Sequence, residues 1–237
     1  MADIDTYIAT PSGPIKGGLV LIHEIWGLVD HIKQVADRFA AEGYLTYAPD
    51  ILTHAGMTPQ VGAELQQLLR SPDPETRQAA QPLMRERTAP AHDQAYAEWA
   101  VPALREVVDE LQRQPAIDAR IGVLGFCFGG TYSYALAAAD ERVRTAVAFY
   151  GAPPDLDQIP RIGCPVLGIY GGKDERLMKG LPAVRAKMEE AGVDFTVKIY
   201  DDAEHAFFND TAPRYDAEAA ADAWQLSLDF LDRHLAG

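Results

Sequence analysis

Short runs of apolar residues recur along the chain without interruption by polar positions. Near-continuous hydrophobicity of this kind is typical of parallel strands that are covered on both faces. The runs are separated by segments in which apolar residues recur every three or four positions. The apolar runs predict six strands of one mostly parallel sheet, at residues 18–22, 45–48, 120–124, 145–150, 165–170 and 195–200.

The segments between the strands have helical periodicity. Asp30 is expected to cap a helix that buries Ile32 and Phe39 on one face and stops at Gly43. Further helices are predicted at residues 131–139, 104–111, 184–191 and 224–234. Alternation of strands and helices indicates an α/β fold, a doubly wound and mostly parallel sheet with helices on both faces. Since no internal repeat or low-complexity linker is found, residues 1–237 are interpreted as a single domain.

The interval 51–103 breaks the alternation. It carries six prolines and only short helical pieces, such as residues 63–69. Long excursions of this kind commonly form a cap or wall over an active site, and we favour that interpretation. A surface excursion without function is the alternative.

Charge and cysteine content narrow the function classes. A net charge of −14 argues against nucleic acid or an anionic membrane surface as a partner. The two cysteines, Cys127 and Cys164, do not make a disulfide framework. The first residues lack the features of a signal peptide, and no apolar run approaches the ~20 residues that span a bilayer. A cytoplasmic location is therefore expected. Nothing in the sequence indicates the oligomeric state.

One stretch combines an apolar run, a glycine-flanked turn and a predicted helix. It reads Gly125-Phe126-Cys127-Phe128-Gly129-Gly130. Strand, sharp turn and helix are the context of a nucleophile elbow, with cysteine where serine is usual. The glycines are expected because neighbours two residues either side of the nucleophile pass too close for a Cβ. The alternative is that Cys127 is a small buried filler.

A nucleophilic cysteine needs a base and an acid. In folds that carry a nucleophile elbow, these residues follow one another along the chain in the order nucleophile, acid, histidine. His205 fits this order and lies in a loop after a predicted strand. The other histidines precede Cys127 or lie on the last helix: His23, His31, His54, His92 and His234. Asp174, directly after the strand at 165–170, is the favoured acid. Asp155 and Asp157 remain alternatives in a proline-rich loop.

An oxyanion hole needs two N–H donors. The amide of Phe128 is one candidate, and that of Ile25, in the loop after the first predicted strand, is the other. His23-Glu24 does not continue to the second histidine of a zinc protease motif, because position 27 is glycine. Gly171-Gly172-Lys173 lacks the upstream glycine and the following Ser or Thr of a P-loop. No metal or nucleotide site is therefore predicted.

Taken together, these motifs resemble the dienelactone hydrolases (carboxymethylenebutenolidases) of the α/β-hydrolase fold. The resemblance covers most of the chain and rests on residues 23–27, 125–130, 150–151, 171–174 and 204–207. It implies Cys127, Asp174 and His205 as a catalytic triad, with the Ile25 and Phe128 amides as the oxyanion hole. It also implies that Glu24 contacts the resting thiol and is displaced when substrate arrives.

The resemblance further implies a substrate pocket, with two departures. The family holds a substrate carboxylate with arginines, but His92 and Asn209 stand at those positions. Neither residue reproduces the bidentate fork of arginine, so a preference for an anionic dienelactone is not implied. Aromatic residues are expected to line the pocket, with core packing as the alternative for each: Trp26, Tyr96, Trp99, Tyr150 and Phe207.

The sequence therefore predicts a cysteine-dependent hydrolase that acts on a small lactone or ester through a thioester acyl-enzyme, without a metal or organic cofactor. The alternative is a relative of the same fold that binds a small ligand or transfers acyl groups without hydrolysis.

Overall fold

The computed structural model describes residues 4–153 and 155–235 of the chain. Within these ranges the strands are β1 (Thr6–Ala9), β2 (Gly17–Ile22), β3 (Tyr44–Pro49), β4 (Ile121–Phe126), β5 (Val143–Phe149), β6 (Val166–Gly171) and β7 (Phe195–Tyr200). The helices are α1 (Asp30–Ala41), α2 (Pro59–Leu69), α3 (Pro74–Thr88), α4 (Gln94–Gln112), α5 (Phe128–Ala139), α6 (Glu175–Ala191) and α7 (Ala217–Leu235). Three short 3-10 turns lie at Thr53–Ala55, Ala89–His92 and Leu156–Arg161.

The strands form one seven-stranded sheet in the order β1-β3-β2-β4-β5-β6-β7. All neighbouring pairs are parallel except β1 and β3, which are antiparallel. The predicted α/β class and mostly parallel sheet are thus confirmed, and the six predicted strands correspond to β2 to β7. Because these six strands run in the same direction, the loops after β2, β4, β5, β6 and β7 emerge at one edge of the sheet.

Two apolar layers cover the sheet. One packs α1 and α7 against strand residues such as Leu21 and Leu124. The other packs α4 and α5 against Val20 and Val123. Strand residues on both faces are fully buried, which is why their sequences carry no polar alternation.

One helix prediction needs correction. Asp30 is not the cap of α1 but its first helical residue, and Val29 occupies the cap position without a side-chain hydrogen bond. The predicted limit of the excursion at residue 103 falls inside α4, which continues through Pro102 without a break. The interval 51–103 holds α2, α3 and about half of α4 and packs beside the β2–α1 loop: a Cβ on Gly62 of α2 would lie 1.8 Å from the carbonyl oxygen of Trp26.

No helix in the described ranges is long and apolar enough to cross a membrane.

Candidate active site

Cys127 lies at the sharp turn between β4 and α5, in a backbone conformation that side chains rarely adopt. Its φ is 54° and its ψ is −110°. Two backbone hydrogen bonds hold it there. The Cys127 amide donates to the carbonyl of Phe149 at 2.9 Å, and the Cys127 carbonyl accepts from the amide of Thr131 at 3.1 Å. The turn thus sets the side chain at the N-terminus of α5, at the edge where the strand ends meet.

The glycines on either side of Cys127 have no room for a side chain. A Cβ on Gly125 would lie 2.2 Å from the carbonyl oxygen of Gly129, and one on Gly129 would lie 2.1 Å from that of Ile22. Both distances are far inside van der Waals contact. The turn therefore requires glycine at both positions, as the motif predicts.

His205 lies between Cys127 and Asp174. Its Nε2 is 3.0 Å from the Cys127 Sγ, and its Nδ1 is 2.5 Å from Oδ2 of Asp174. The second carboxylate oxygen of Asp174 accepts from the Leu177 amide at 3.2 Å and caps α6. Asp155 instead accepts from the amide of Asp157 within its own loop, and neither of these two carboxylates hydrogen-bonds to His205.

Close backbone approach brings the His205 loop to Asp174. The amide of Lys173 donates to the carbonyl of Ala203 at 3.0 Å. A Cβ on Gly171 would lie 2.5 Å from the carbonyl of Glu204, so this approach depends on glycine. Ala206 follows with a φ of 65°, which turns the chain away after His205.

The surroundings of His205 favour its protonated form. Burial alone would lower the pKa of His205, but the hydrogen bonds with Asp174 and Cys127 outweigh this and raise the pKa to about 10. Burial raises the pKa of Asp174, but the hydrogen bond with His205 outweighs it, so the net shift is downward. At neutral pH an imidazolium can donate from both nitrogens, one to the carboxylate and one to the sulfur.

The amides of Ile25 and Phe128 lie on the two loops that flank Cys127. Phe128 is the first residue of α5, so its N–H has no partner within the helix. Across residues 4–153 and 155–235, neither amide donates to a backbone or side-chain acceptor. The β2–α1 loop packs directly against the start of α5, since a Cβ on Gly129 would also lie 2.6 Å from the carbonyl of His23.

Glu24 is buried close enough to His205 for the two charges to interact, but its hydrogen-bond partners are not the expected ones. Its Oε2 accepts from Nδ2 of Asn209 at 2.6 Å, and its Oε1 lies 3.5 Å from the hydroxyl of Tyr150. Burial raises the pKa of Glu24, and the hydrogen bond from Asn209 offsets part of this rise. The implied contact between Glu24 and the resting thiol needs correction: within the described ranges, the hydrogen bond of the Cys127 side chain goes to His205.

Several predicted pocket residues are occupied elsewhere. Phe207 is fully buried against Tyr150 and Tyr200, and Asn209 is buried with its amide committed to Glu24 and Thr211. Phe207 thus packs in the core, and Asn209 supports Glu24.

The other residues predicted to line the pocket divide into buried and accessible side chains. Tyr150 is buried, has a φ of 36° and lies with its ring 5.0 Å from that of His205. Tyr96 is also buried and donates its hydroxyl to the carbonyl of Ile51. Trp26 and Trp99 are partly exposed, and His92 is exposed. Trp99 stacks on His54, with ring centroids 3.6 Å apart.

Two residues near the site were not predicted from the sequence. His23 was excluded as a base, yet it is fully buried in the β2–α1 loop and hydrogen-bonds to the carbonyl of Glu24. Arg70, at the end of α2, has its positive charge close enough to Glu24 to lower the pKa of that carboxyl. The proximity of Arg70 to Glu24 and the burial of His23 both result from tertiary packing, so no local sequence motif indicates them.

Within the described ranges, no group of three or more His, Cys, Asp or Glu side chains is placed to hold a metal ion.

Comparison with known proteins agrees with this geometry. Residues 4–235 match the model of the dienelactone hydrolase family. A protein of Saccharolobus solfataricus, provisionally named as a carboxymethylenebutenolidase, is 34% identical over 98% of this chain and 95% of its own length. A protein of Escherichia coli with the same provisional name is 28% identical over 98% of this chain and 83% of its own length.

A solved structure has the same fold. It is that of a provisionally named dienelactone hydrolase from Klebsiella pneumoniae, which superposes with a TM-score of 0.76 at 24% identity, over 96% of this chain and 98% of the other. The chain therefore belongs to the dienelactone hydrolase family, has the α/β-hydrolase fold and is a hydrolase of the dienelactone hydrolase type.

Proposed function

We propose that this protein hydrolyses small lactones or esters, with Cys127 as nucleophile, His205 as acid and base, and Asp174 as the group that orients His205. The observation that carries the proposal is the unbroken chain from Sγ of Cys127 to Nε2 of His205 at 3.0 Å, and from Nδ1 of His205 to Asp174 at 2.5 Å. A histidine with a purely structural role would need a hydrogen-bond partner for each ring nitrogen. It would not require that one of those partners be a cysteine on a strained turn.

The first step uses the thiolate. A pKa near 10 keeps His205 protonated at neutral pH, and the sulfur receives one of its N–H groups. The sulfur attacks the substrate carbonyl carbon, a C–S bond forms, and the carbonyl π electrons move to oxygen. The free amides of Ile25 and Phe128 are suited to hold that oxyanion, because neither must give up another acceptor.

Collapse of the tetrahedral intermediate breaks the C–O bond. The departing oxygen takes the Nε2 proton of His205, which leaves a neutral imidazole and a thioester on Cys127. In a lactone the leaving group remains tethered to the acyl chain. Neutral His205 then takes a proton from water, the hydroxide attacks the thioester, and loss of the acid regenerates thiolate and imidazolium.

The side chains around the site favour substrates without a carboxylate anchor. Asn209 is buried, donates to Glu24 at 2.6 Å and accepts from Thr211, so its side chain is not presented to a substrate. His92 is exposed and makes no bidentate fork. Carboxymethylenebutenolidases, after which the relatives are named, take an anionic dienelactone, whereas we expect this protein to act at least as well on a neutral ester.

Steady-state hydrolysis of a neutral aryl ester and of a dienelactone tests the proposal. Cys127→Ala is expected to abolish turnover of both substrates. Cys164→Ala is the matched control, because Cys164 is the other cysteine of the chain and is buried in the apolar layer of α4 and α5. Its turnover should stay within about twofold of wild type. Activity that survives Cys127→Ala would refute the nucleophile.

A further inference from the structure

His23 lies directly before the peptide that carries the Ile25 amide, and the triad does not use it. It follows β2 and its side chain is fully buried. Its ring is nearly parallel to that of Phe128, with centroids 6.2 Å apart. A buried, polar side chain that contacts Phe128 and precedes the Ile25 peptide calls for a physical reason, because burial of a polar group costs free energy unless it is hydrogen-bonded.

Both ring nitrogens of His23 are occupied, and their partners define the tautomer. Nε2 lies 3.2 Å from the backbone amide of Ile51, which can only donate. Nε2 must therefore carry a lone pair and Nδ1 the proton. The Nδ1–H then donates to the carbonyl oxygen of Glu24 at 2.8 Å.

Protonation of this ring is opposed by its surroundings. Burial lowers the pKa of His23, partly offset by its hydrogen bond to the Glu24 carbonyl and by the charge of Asp50, whose Oδ1 lies 3.9 Å from Nε2. A proton on Nε2 would also face the Ile51 N–H. The neutral Nδ1–H form is therefore the one that this environment stabilises.

The carbonyl of Glu24 and the amide of Ile25 belong to one peptide unit. Such a unit is planar and trans, so its C=O and N–H point in opposite directions. The Glu24 carbonyl is held by two donors, His23 Nδ1 at 2.8 Å and the Gly27 amide at 3.1 Å. Fixing the carbonyl from one side fixes the direction of the Ile25 N–H on the other.

We propose that His23 is a positioning residue, whose Nδ1–H holds the Glu24–Ile25 peptide so that the Ile25 N–H is aimed at the oxyanion formed on attack by Cys127. The inference rests on the proposed function. Through Ile51 the ring is anchored to the segment that follows β3, so His23 ties the β2–α1 loop to the sheet. The chain from the Ile51 N–H through the imidazole to the Glu24 carbonyl also polarises the peptide, which strengthens the Ile25 N–H as a donor.

Two variants of similar shape separate the donor from the packing. His23→Asn places an amide nitrogen near the position of Nδ1, and His23→Leu fills the same volume without a donor. Both lose the acceptor for the Ile51 amide, so that cost is shared. We expect kcat for an aryl ester to fall about 10- to 100-fold in His23→Leu, less than the 10²- to 10³-fold typical when an oxyanion donor is deleted outright. His23→Asn should stay within about fivefold of wild type, with KM changed less than threefold in both.

Alkylation of Cys127 by iodoacetamide supplies a readout that a merely structural role would move and a positioning role would not. Displacement of iodide forms no oxyanion, so the alkylation rate should be equal in wild type and both variants. Affinity for a trifluoromethyl ketone, which forms a tetrahedral oxyanion adduct with a thiolate, should fall in His23→Leu by the same factor as kcat/KM.

Equal turnover in the leucine and asparagine variants would overturn the inference, as would an alkylation rate that falls in parallel with turnover. If His23→Leu does not fold, His23→Asn decides alone: kcat within about fivefold of wild type supports the inference, and a larger loss overturns it. Failure of the proposed function is distinguishable, because it would appear as activity in Cys127→Ala, whatever the behaviour of the His23 variants.

Discussion

Replacing Asn209 by leucine should destabilise the protein more at pH 8 than at pH 5. Asn209 is buried and donates to the Glu24 carboxylate at 2.6 Å, while its own oxygen accepts from the amide and hydroxyl of Thr211 at 3.0 and 2.7 Å. Leucine has a similar shape but makes none of these bonds. The charged state of Glu24 decides how much the first of them is worth.

The sign follows from the pKa of Glu24, which burial raises above its ordinary value. A carboxyl whose pKa is raised on folding favours the folded state below its unfolded pKa, and that contribution is lost as the pH rises through the folded pKa. Asn209 limits the loss, because it stabilises the ionised form. Without Asn209 the pKa of Glu24 rises further, so the penalty at pH 8 grows.

The magnitude can be worked from the bonds. A hydrogen bond to a charged acceptor contributes about 2 kcal/mol and a neutral one about 1 kcal/mol, while the two bonds from exposed Thr211 add roughly 0.5 kcal/mol each. Asn209→Leu should therefore lower the free energy of unfolding by about 3 kcal/mol where Glu24 is ionised and by about 2 kcal/mol where it is protonated, so the cost is larger at pH 8 than at pH 5.

Urea denaturation followed by tryptophan fluorescence measures the difference, provided that the m-value is unchanged. Glu24→Gln supplies the control, since a neutral amide at position 24 cannot ionise. In that background Asn209→Leu should cost the same at both pH values. An equal cost at pH 5 and pH 8 with Glu24 present would refute the reasoning, because it would mean that Asn209 does not stabilise a charge.

Three further outcomes are expected. Asp174→Asn should lower the pKa of His205 from about 10 toward its ordinary value, which NMR of the imidazole would measure. The same substitution should reduce turnover about 10²- to 10⁴-fold. An unchanged titration of His205 would contradict its pairing with Asp174. Because that pKa is raised on folding, the pairing of His205 should stabilise the protein fully below pH 6.5 and lose this contribution as the pH rises through about 10, measurable by urea denaturation at pH 7 and 10.5. Gly129→Ala should disrupt the turn, since its Cβ would lie 2.1 Å from the Ile22 carbonyl, whereas Gly163→Ala, with nothing within 4 Å, should leave activity and melting temperature nearly unchanged.

Much of the fold could be predicted because its signals are local. Strands that are buried on both faces have continuous apolar sequences, and this pattern predicts β2 to β7. The edge strand β1 was missed because it is four residues long and mostly not buried. Helix α3 was missed because it has few apolar residues and carries Pro82 in its interior.

The candidate triad could be predicted from the sequence for a related reason. Cys127, Asp174 and His205 each follow a predicted strand, and parallel strands deliver such residues to one edge of the sheet. The contacts of Glu24 could not be predicted from the sequence. Its partner Asn209 lies 185 residues away in the sequence, so only tertiary packing brings the two together.

The identity of the acylated residue tests the central claim most directly. Wild-type protein would be mixed with an activated aryl ester, quenched in acid during the first turnover and analysed by intact-protein and peptide mass spectrometry. The account predicts one acyl group, carried by the peptide that contains Cys127, and none in Cys127→Ala. An acyl group on another residue, or turnover in Cys127→Ala, would contradict it.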